Sequence, residues 1–221
     1  MNALAGNDFE NDLSWFTART GPQARAWARY LGKRLIDIAA AAAGIVLTMP
    51  LLLLCGLWIK VLDGGPALYQ QWRVGQDGWM FRIQKLRTMR LDAEESGLAQ
   101  FAVTGDPRVL PGCSWMRRSH VDELPQLWNI LRGEMSLVGP RPERPEMLEW
   151  LRGHMPLIGR RLVVPPGLTG LAQVRNGYTN DLAGARRKQA FDLRYLRRLS
   201  LLADLSLILQ TVPKIWDRGA Q

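Results

Sequence analysis

The stretch IAAAAAGIVLTMPLLLLCGLWI, residues 38–59, decides how the rest of the chain is read. Its twenty-two residues carry no charge, which is enough apolar length for a membrane helix. More than thirty residues precede it, Asp8, Glu10 and Asp12 among them, and the run is too long for a cleavable leader. It is therefore expected to stay in the mature protein. Pro50, near its middle, removes one backbone donor and collides with the Val46 carbonyl, at a cost of about 3 kcal/mol or more in a helix interior. A kink is expected there, with Thr48 a nearby partner for the freed backbone groups.

Two geometries fit such a run: a bent helix that still crosses the bilayer, or two short arms that enter and return on one side. Arg25, Arg29, Lys33 and Arg34 precede it, and Lys60, Arg73, Arg82, Lys85, Arg87 and Arg90 follow, so both flanks carry the cationic bias of cytoplasmic loops. A simple crossing would place one of these clusters outside. Each arm would be roughly 15 to 18 Å long, about half of a hydrocarbon core, which suits a re-entrant hairpin. A kinked single span is the alternative.

The chain has 221 residues, of which 47% are hydrophobic, and a formal charge of +9. That length supports one good core with appendages. The excess of 29 Lys and Arg over 20 Asp and Glu calls for an anionic partner: nucleic acid, anionic lipid or a phosphorylated substrate. Cys55 and Cys113 match no disulfide framework or zinc spacing, which favours a reducing compartment.

After turn signals at Gly64, Gly65, Gly75 and Gly78, the segment FRIQKLRTM alternates with period two. Phe81, Ile83, Lys85, Arg87 and Met89 fall on one face of the expected strand, so two neighbouring cations point the same way. They call for an anion, unless they snorkel at a sheet edge. In DELPQLWNILRG, residues 122–133, Leu124, Leu127, Trp128 and Leu131 trace an amphipathic helix that Gly133 stops. Pro125 is tolerated only in a first turn, so the helix is expected to begin near Asp122. Asp122 and Glu123 would then sit at its mouth, where the dipole favours an ionised carboxylate and a phosphate alike. Simple capping explains the same two residues. Arg117 and Arg118 lie just before them, and Pro140 and Pro142 hold Arg141 in a stiff turn after the helix, an arrangement suited to phosphate oxygens. His120 is read as a polar contact outside the chemistry.

The runs RVGQDGWMFRIQKLRTM, DPRVLPGCSWMRRSHVDELPQLWNILRGEMSLVGPRPERPE, PPGLTGLAQV and FDLRYLRRLSLLADLSLILQTV follow the proline-broken segment in this order. Together they resemble the bacterial sugar transferase family, the monotopic polyprenyl-phosphate phosphoglycosyltransferases, over roughly residues 33 to 219. VRNGY and the closing DRGAQ look most like members that initiate exopolysaccharide repeat units.

The resemblance implies an α+β fold, mostly helical with a small sheet, an N-terminal re-entrant membrane helix broken at Pro50, and C-terminal interfacial amphipathic helices. It implies a monotopic enzyme on the cytoplasmic face of the bacterial inner membrane. Asp122 would attack the β-phosphate of a UDP-sugar, expel UMP and form an aspartyl phosphosugar that a polyprenyl phosphate captures. Glu123 would assist as a base or, with Asp122, as a ligand of Mg²⁺, which typically bridges carboxylates and substrate phosphates. Lys85, Arg87, Arg117 and Arg141 are the candidate diphosphate contacts. The chain departs from the family at Met49, where Ser often precedes the hairpin proline, at Leu86 between Lys85 and Arg87, and at His120. None of these touches the nucleophile.

ARRKQAFDLRYLRRLSLLADLSLILQTVPKIW, residues 185–216, combines Arg186, Arg187, Lys188, Arg194, Arg197 and Arg198 with Leu and Ile at helical spacing. This is the pattern of helices lying on an anionic phospholipid surface, with Trp216 suited to the interface, although part of it fits core packing equally. The resulting organisation is a polar arm at residues 1–32, carrying Trp15, Phe16 and Trp27, a membrane hairpin at 33–63, a catalytic domain at 64–185 and membrane-associated helices at 186–221.

The rivals are a membrane-tethered nucleic-acid-binding protein and an inert assembly scaffold. No zinc-finger or aromatic RNA-binding signature is present, and the Asp-Glu pair with Lys85, Arg87 and the Pro-Arg-Pro turn argues against a scaffold. Nucleic acid is not expected as a partner. The sugar, whether glucose, galactose or an N-acetylated hexose, and homo-oligomer formation are left open.

Overall fold

The computed structural model describes residues 30–93, 106–176 and 181–213. The arm with Trp15, Phe16, Arg25, Trp27 and Arg29, the residues Gly177 and Tyr178, Trp216 and the closing DRGAQ lie outside the described residues.

Helix α1, Leu31–Asp63, is one unbroken helix of 33 residues, about 50 Å long. Pro50 does not divide it into two arms. The Thr48 hydroxyl donates to the Gly44 carbonyl at 2.7 Å, one turn back, and not to the Val46 carbonyl that the proline leaves without a donor. Gly64 ends the helix in the left-handed region, φ 67°, and its N–H closes on Lys60.

A stripe at every fourth residue, Lys33, Asp37, Ala41 and Ile45, then Cys55 and Ile59, is the buried face of α1. Its most apolar 18-residue window is only 17% buried, so α1 is not an ordinary core helix. The opposite face presents Val46, Leu47, Leu53, Leu54, Leu57 and Val61 outward.

Among the described residues the strands form two separate pairs. Strand β1 (Leu68–Val74) runs antiparallel to β2 (Met80–Leu86), with Leu68 opposite Leu86 and Val74 opposite Met80. Phe81 and Ile83 of β2 face Ala41 and Ile45 of α1 and Leu127 and Ile130 of the later helix α3 (Gln126–Arg132). Asn129 of α3 clamps the same strand, accepting from Gln84 N–H at 3.1 Å and donating to the Arg82 carbonyl at 2.8 Å. Between them comes the short α2 (Ser114–Arg118), whose Met116 packs with Cys113, Leu86, Cys55 and Ile59.

Strands β3 (Ser136–Val138) and β4 (Gly167–Thr169) pair in parallel. Past Val138 the two chains approach so closely that a Cβ on Gly139 would lie 2.4 Å from the Pro165 carbonyl oxygen, and one on Gly167 2.0 Å from the Gly139 nitrogen. Only glycine fits at both. Gly167 N–H then reaches the Pro140 carbonyl at 2.9 Å, which fixes the start of the Pro-Arg-Pro turn.

Helix α4 (Pro145–His154) packs Leu148 and Leu151 on Val74 of β1. A 3-10 segment, Ile158–Val163, leads to β4 and then to α5 (Leu171–Asn176), α6 (Leu182–Leu196) and α7 (Leu201–Thr211). The expected boundary between residues 185 and 186 falls inside α6, and that at 32/33 inside α1. Lys188 of α6 faces inward onto Glu143, unlike Arg186, Arg187, Arg194, Arg197 and Arg198, which are exposed.

The two ends of α1 rest on the same body. Near its start, Lys33 pairs with Asp204 of α7 at 2.6 Å, Arg34 donates to the carbonyls of Ile130 and Leu131, and Asp37 accepts from Leu137 N–H. Near its end, Cys55 and Ile59 pack on Leu86 and Met116, and Asp63 pairs with Arg87.

Candidate active site

Asp122 and Glu123 lie in a single 3-10 turn, Val121–Glu123, ahead of α3 and not at its mouth. The helix proper begins at Gln126, with Pro125 as its cap. Pro125 has no N–H to return to the preceding turn, so the chain closes by i to i+3 bonds, Glu123 N–H to His120 at 3.0 Å and Leu124 N–H to Val121 at 3.2 Å. His120 takes the left-handed conformation, φ 55°, which turns the chain from α2 toward the acidic pair. With α3 only 7 residues long and begun later, side-chain cations, and not a helix dipole, set the electrostatics.

Both carboxylates are buried, yet their environments differ. Glu123 Oε1 accepts from Lys85 Nζ at 2.6 Å and from Arg141 Nη2 at 2.5 Å, while Oε2 takes Arg141 Nη1 at 3.2 Å. Burial raises its pKa, but Arg141 and Lys85 outweigh burial and hold it well below the usual carboxylate range. Asp122 Oδ1 is buried and accepts no hydrogen bond among the described residues. Burial lifts its carboxyl to about 6, with Glu123 adding to the rise and Lys85, Arg117 and Arg141 opposing it. Two adjacent acids are thus driven apart: one is an anion held by three charge-assisted hydrogen bonds, the other keeps a buried oxygen without a partner among the described residues and ionises near pH 6.

Of the expected phosphate contacts, Lys85 and Arg141 meet on Glu123. Arg117 is near enough to lower the Asp122 pKa, and its Nη1 lies 3.5 Å from Thr88 Oγ1. Arg87 follows another course. Its guanidinium closes the end of α1, paired with Asp63 and donating through Nε to the Pro66 carbonyl at 2.6 Å. Strand alternation suggested a shared target for Lys85 and Arg87, but the two heads go to different acids.

Sequence reasoning missed Arg73 and the props behind Arg141. Arg73 is half-buried and donates to the Pro142 carbonyl at 3.2 Å and to Gln71 at 2.7 Å. Burial pushes its guanidinium down to about 10, and Arg141 and Arg144 add to the fall. Arg161, which is buried, donates to the Arg141 carbonyl at 2.8 Å and pairs with Glu143 at 2.8 Å and Asp192 at 2.9 Å. Lys188 completes this set on Glu143. The Pro-Arg-Pro turn is therefore fixed from behind by Arg73 and Arg161, and Arg141 projects from it to Glu123. The position of Glu143 directly after the turn was the only sequence signal for this support.

Among the described residues no group of three or more His, Cys, Asp and Glu side chains is gathered for a metal. The two hard carboxylates, one with an open oxygen, nonetheless match the donor set of Mg²⁺, which usually binds one or two carboxylates together with substrate phosphates.

Residues 28–218 match the family described as bacterial sugar transferase. A UDP-glucose:undecaprenyl-phosphate glucose-1-phosphate transferase of Caulobacter vibrioides is 43% identical over 201 residues, covering 90% of this chain and 75% of its own. The exopolysaccharide production protein ExoY of Rhizobium meliloti is 38% identical over 199 residues, covering 84% of this chain and 85% of its own. An N-acetylgalactosaminephosphotransferase acting on undecaprenyl phosphate, from Aeromonas hydrophila, is 40% identical over 183 residues, and there the chain spans only 43% of the relative's length. The chain belongs to the bacterial sugar transferase family.

Proposed function

We propose that this protein moves a phosphosugar from a UDP-sugar to a polyprenyl phosphate, in two displacements through Asp122. The carrying observation is the unequal acid pair: Glu123 accepts three hydrogen bonds from Lys85 and Arg141, whereas Asp122 keeps a buried oxygen that accepts none among the described residues. Ionised Asp122 attacks the phosphorus that bears the sugar. Its bond to the bridging oxygen breaks, and UMP leaves with the electron pair. An oxygen of the polyprenyl phosphate then attacks the same phosphorus, which frees Asp122 and gives polyprenyl diphosphosugar. The names of the relatives, which specify undecaprenyl phosphate with glucose or N-acetylgalactosamine, support this substrate class, and the name of ExoY supports a role in exopolysaccharide production.

Lys85, Arg117 and Arg141 supply positive charge at the acid pair, and a bound diphosphate would compete with Glu123 for Lys85 and Arg141. Arg87 enters the phosphate site only by leaving Asp63. Mg²⁺, held by Asp122 and Glu123 with the substrate, would neutralise charge on the leaving phosphate.

The surface of α1 supports a membrane placement. Its exposed face is apolar over the middle turns, while polar groups at both ends bind one domain. A spanning helix would carry one end to the far side, away from that domain. We therefore read α1 as a segment that dips into one leaflet, with Pro50 near its deepest point and both ends on the side of entry, and with the acid pair at the cytoplasmic face. Leu202, Leu205 and Leu209 of α7, with Val212 just after it, form one exposed stripe, which supports an interfacial helix.

Incubating the purified chain with a panel of UDP-sugars, Mg²⁺ and undecaprenyl phosphate tests the function. Release of UMP with one or more sugars is expected, and no release with any sugar would contradict the proposal.

A further inference from the structure

The cleft between α5, α6 and α7 has no role in the chemistry above and shares no residue with the acid pair. It encloses about 500 Å³ and is lined by Arg175, Arg194 and Arg198 with Phe191, Ser206 and Gln210. All three arginines are exposed and make no ion pair among the described residues. Among the described residues no carboxylate lines the cleft. Asp204, the one acid of α7, is spent on Lys33 at 2.6 Å and on the Tyr195 hydroxyl at 2.8 Å.

Two further features set the level of this cleft. The Lys33–Asp204 pair ties α7 to the charged start of α1, five residues before its apolar run begins at Ile38. This places α7 where that helix meets water. Beside the cleft, Leu202, Leu205 and Leu209 are 80%, 53% and 63% exposed along one stripe. Ser206, four residues after Leu202, sits between that stripe and the arginines. Three unpaired cations next to a row of bare leucines complement a molecule with a phosphodiester at one end and acyl chains at the other.

We propose that this cleft binds the headgroup of an anionic phospholipid, with the phosphodiester among Arg175, Arg194 and Arg198 and the acyl chains along Leu202, Leu205 and Leu209. The inference rests on the membrane placement proposed above, and it is independent of the Asp122 chemistry.

The test uses the full chain in dodecyl maltoside micelles doped with phosphatidylglycerol, phosphatidylcholine or polyprenyl phosphate, with retained lipid read by native mass spectrometry. Wild type is compared with Arg175→Gln/Arg194→Gln/Arg198→Gln and with a charge-matched control, Arg186→Gln/Arg187→Gln/Arg197→Gln, on exposed positions outside the cleft. Wild type should retain phosphatidylglycerol and not phosphatidylcholine. The cleft variant should lose retention by roughly fivefold per arginine, on the order of 100-fold in all, and the control by no more than about twofold. Equal losses in both variants would overturn the site in favour of a diffuse field. Displacement of phosphatidylglycerol by polyprenyl phosphate, with the same arginine dependence, would assign the cleft to the acceptor and overturn it also. UMP release from the same samples, and solubility of wild type without detergent, report separately on the chemistry and on the membrane placement.

Discussion

Arg141 grips Glu123 with both terminal nitrogens, Nη2 at 2.5 Å from Oε1 and Nη1 at 3.2 Å from Oε2. The grip is prepared from the far side, where Arg161 holds the Arg141 carbonyl at 2.8 Å and Arg73 the next one at 3.2 Å. A planar fork on a fixed turn is matched to a carboxylate here, and in the proposed reaction it would be matched equally to a phosphate.

Arg141→Lys keeps the charge and loses the fork. It should lower kcat/KM by roughly 10- to 100-fold, the worth of one charge-assisted hydrogen bond. Steady-state UMP release over a range of UDP-sugar concentrations measures this. Kinetics equal to wild type would remove Arg141 from the phosphate site.

The pH dependence follows from the opposed acids. Asp122 must be ionised to attack, and its carboxyl is raised from 3.8 to about 6 by burial. The single-turnover rate should therefore climb about tenfold per pH unit below 6 and level off above pH 7. Between those two pKa values the folded chain binds more protons than the unfolded one, so the group's contribution to stability falls as pH rises from about 4 to 6. Asp122→Asn removes that loss and should raise the unfolding free energy at pH 7.5 by about 1–3 kcal/mol while abolishing activity. Denaturant melts of the two proteins at pH 4 and pH 7.5 check the sign. An Asn variant less stable than wild type at pH 7.5 would contradict it.

Much of this was legible in the sequence, because the signals were local. The apolar run with Pro50, the adjacent acids and an arginine between two prolines all show within a dozen residues. What escaped depended on distant pairings. Lys85 and Arg87 are two residues apart, yet one meets Glu123 and the other Asp63, and no strand period encodes that split. Arg73 and Arg161 support a turn 69 and 20 residues away. Pro125 does limit the helix as expected. Spacing alone did not distinguish a first turn of α-helix from a separate 3-10 turn, and this moved the acids off the helix mouth.

The Lys33–Asp204 pair is buried on both sides, at 7% and 8% side-chain exposure, and joins the first turn of α1 to α7. Removing one partner, as in Lys33→Ala or Asp204→Ala, should cost about 3–5 kcal/mol by stranding a buried charge. The double variant Lys33→Met/Asp204→Leu should recover most of it, since the Tyr195 hydroxyl still has the Val138 carbonyl at 3.3 Å. Thermal unfolding in detergent reads both. A double variant as unstable as the singles would show that the contact acts by more than its charge.

The one-sided placement of α1 predicts that residues before and after it share a compartment. Ala24→Cys and Asp92→Cys, each in a chain whose Cys55 and Cys113 are replaced by Ala, should both resist a membrane-impermeant maleimide in intact cells and react after lysis. Labelling of one from outside, with the other protected, would mean that the helix crosses.

The central claim is that Asp122 carries the phosphosugar. Rapid mixing of the full chain with UDP-sugar and Mg²⁺, without lipid acceptor, tests it most directly, with UMP and the intact protein mass followed together. The expected result is a burst of about one UMP per chain, and the mass of one phosphosugar on the peptide holding Asp122. Asp122→Asn should give neither. A label on Glu123, or no UMP until polyprenyl phosphate is added, would contradict the account.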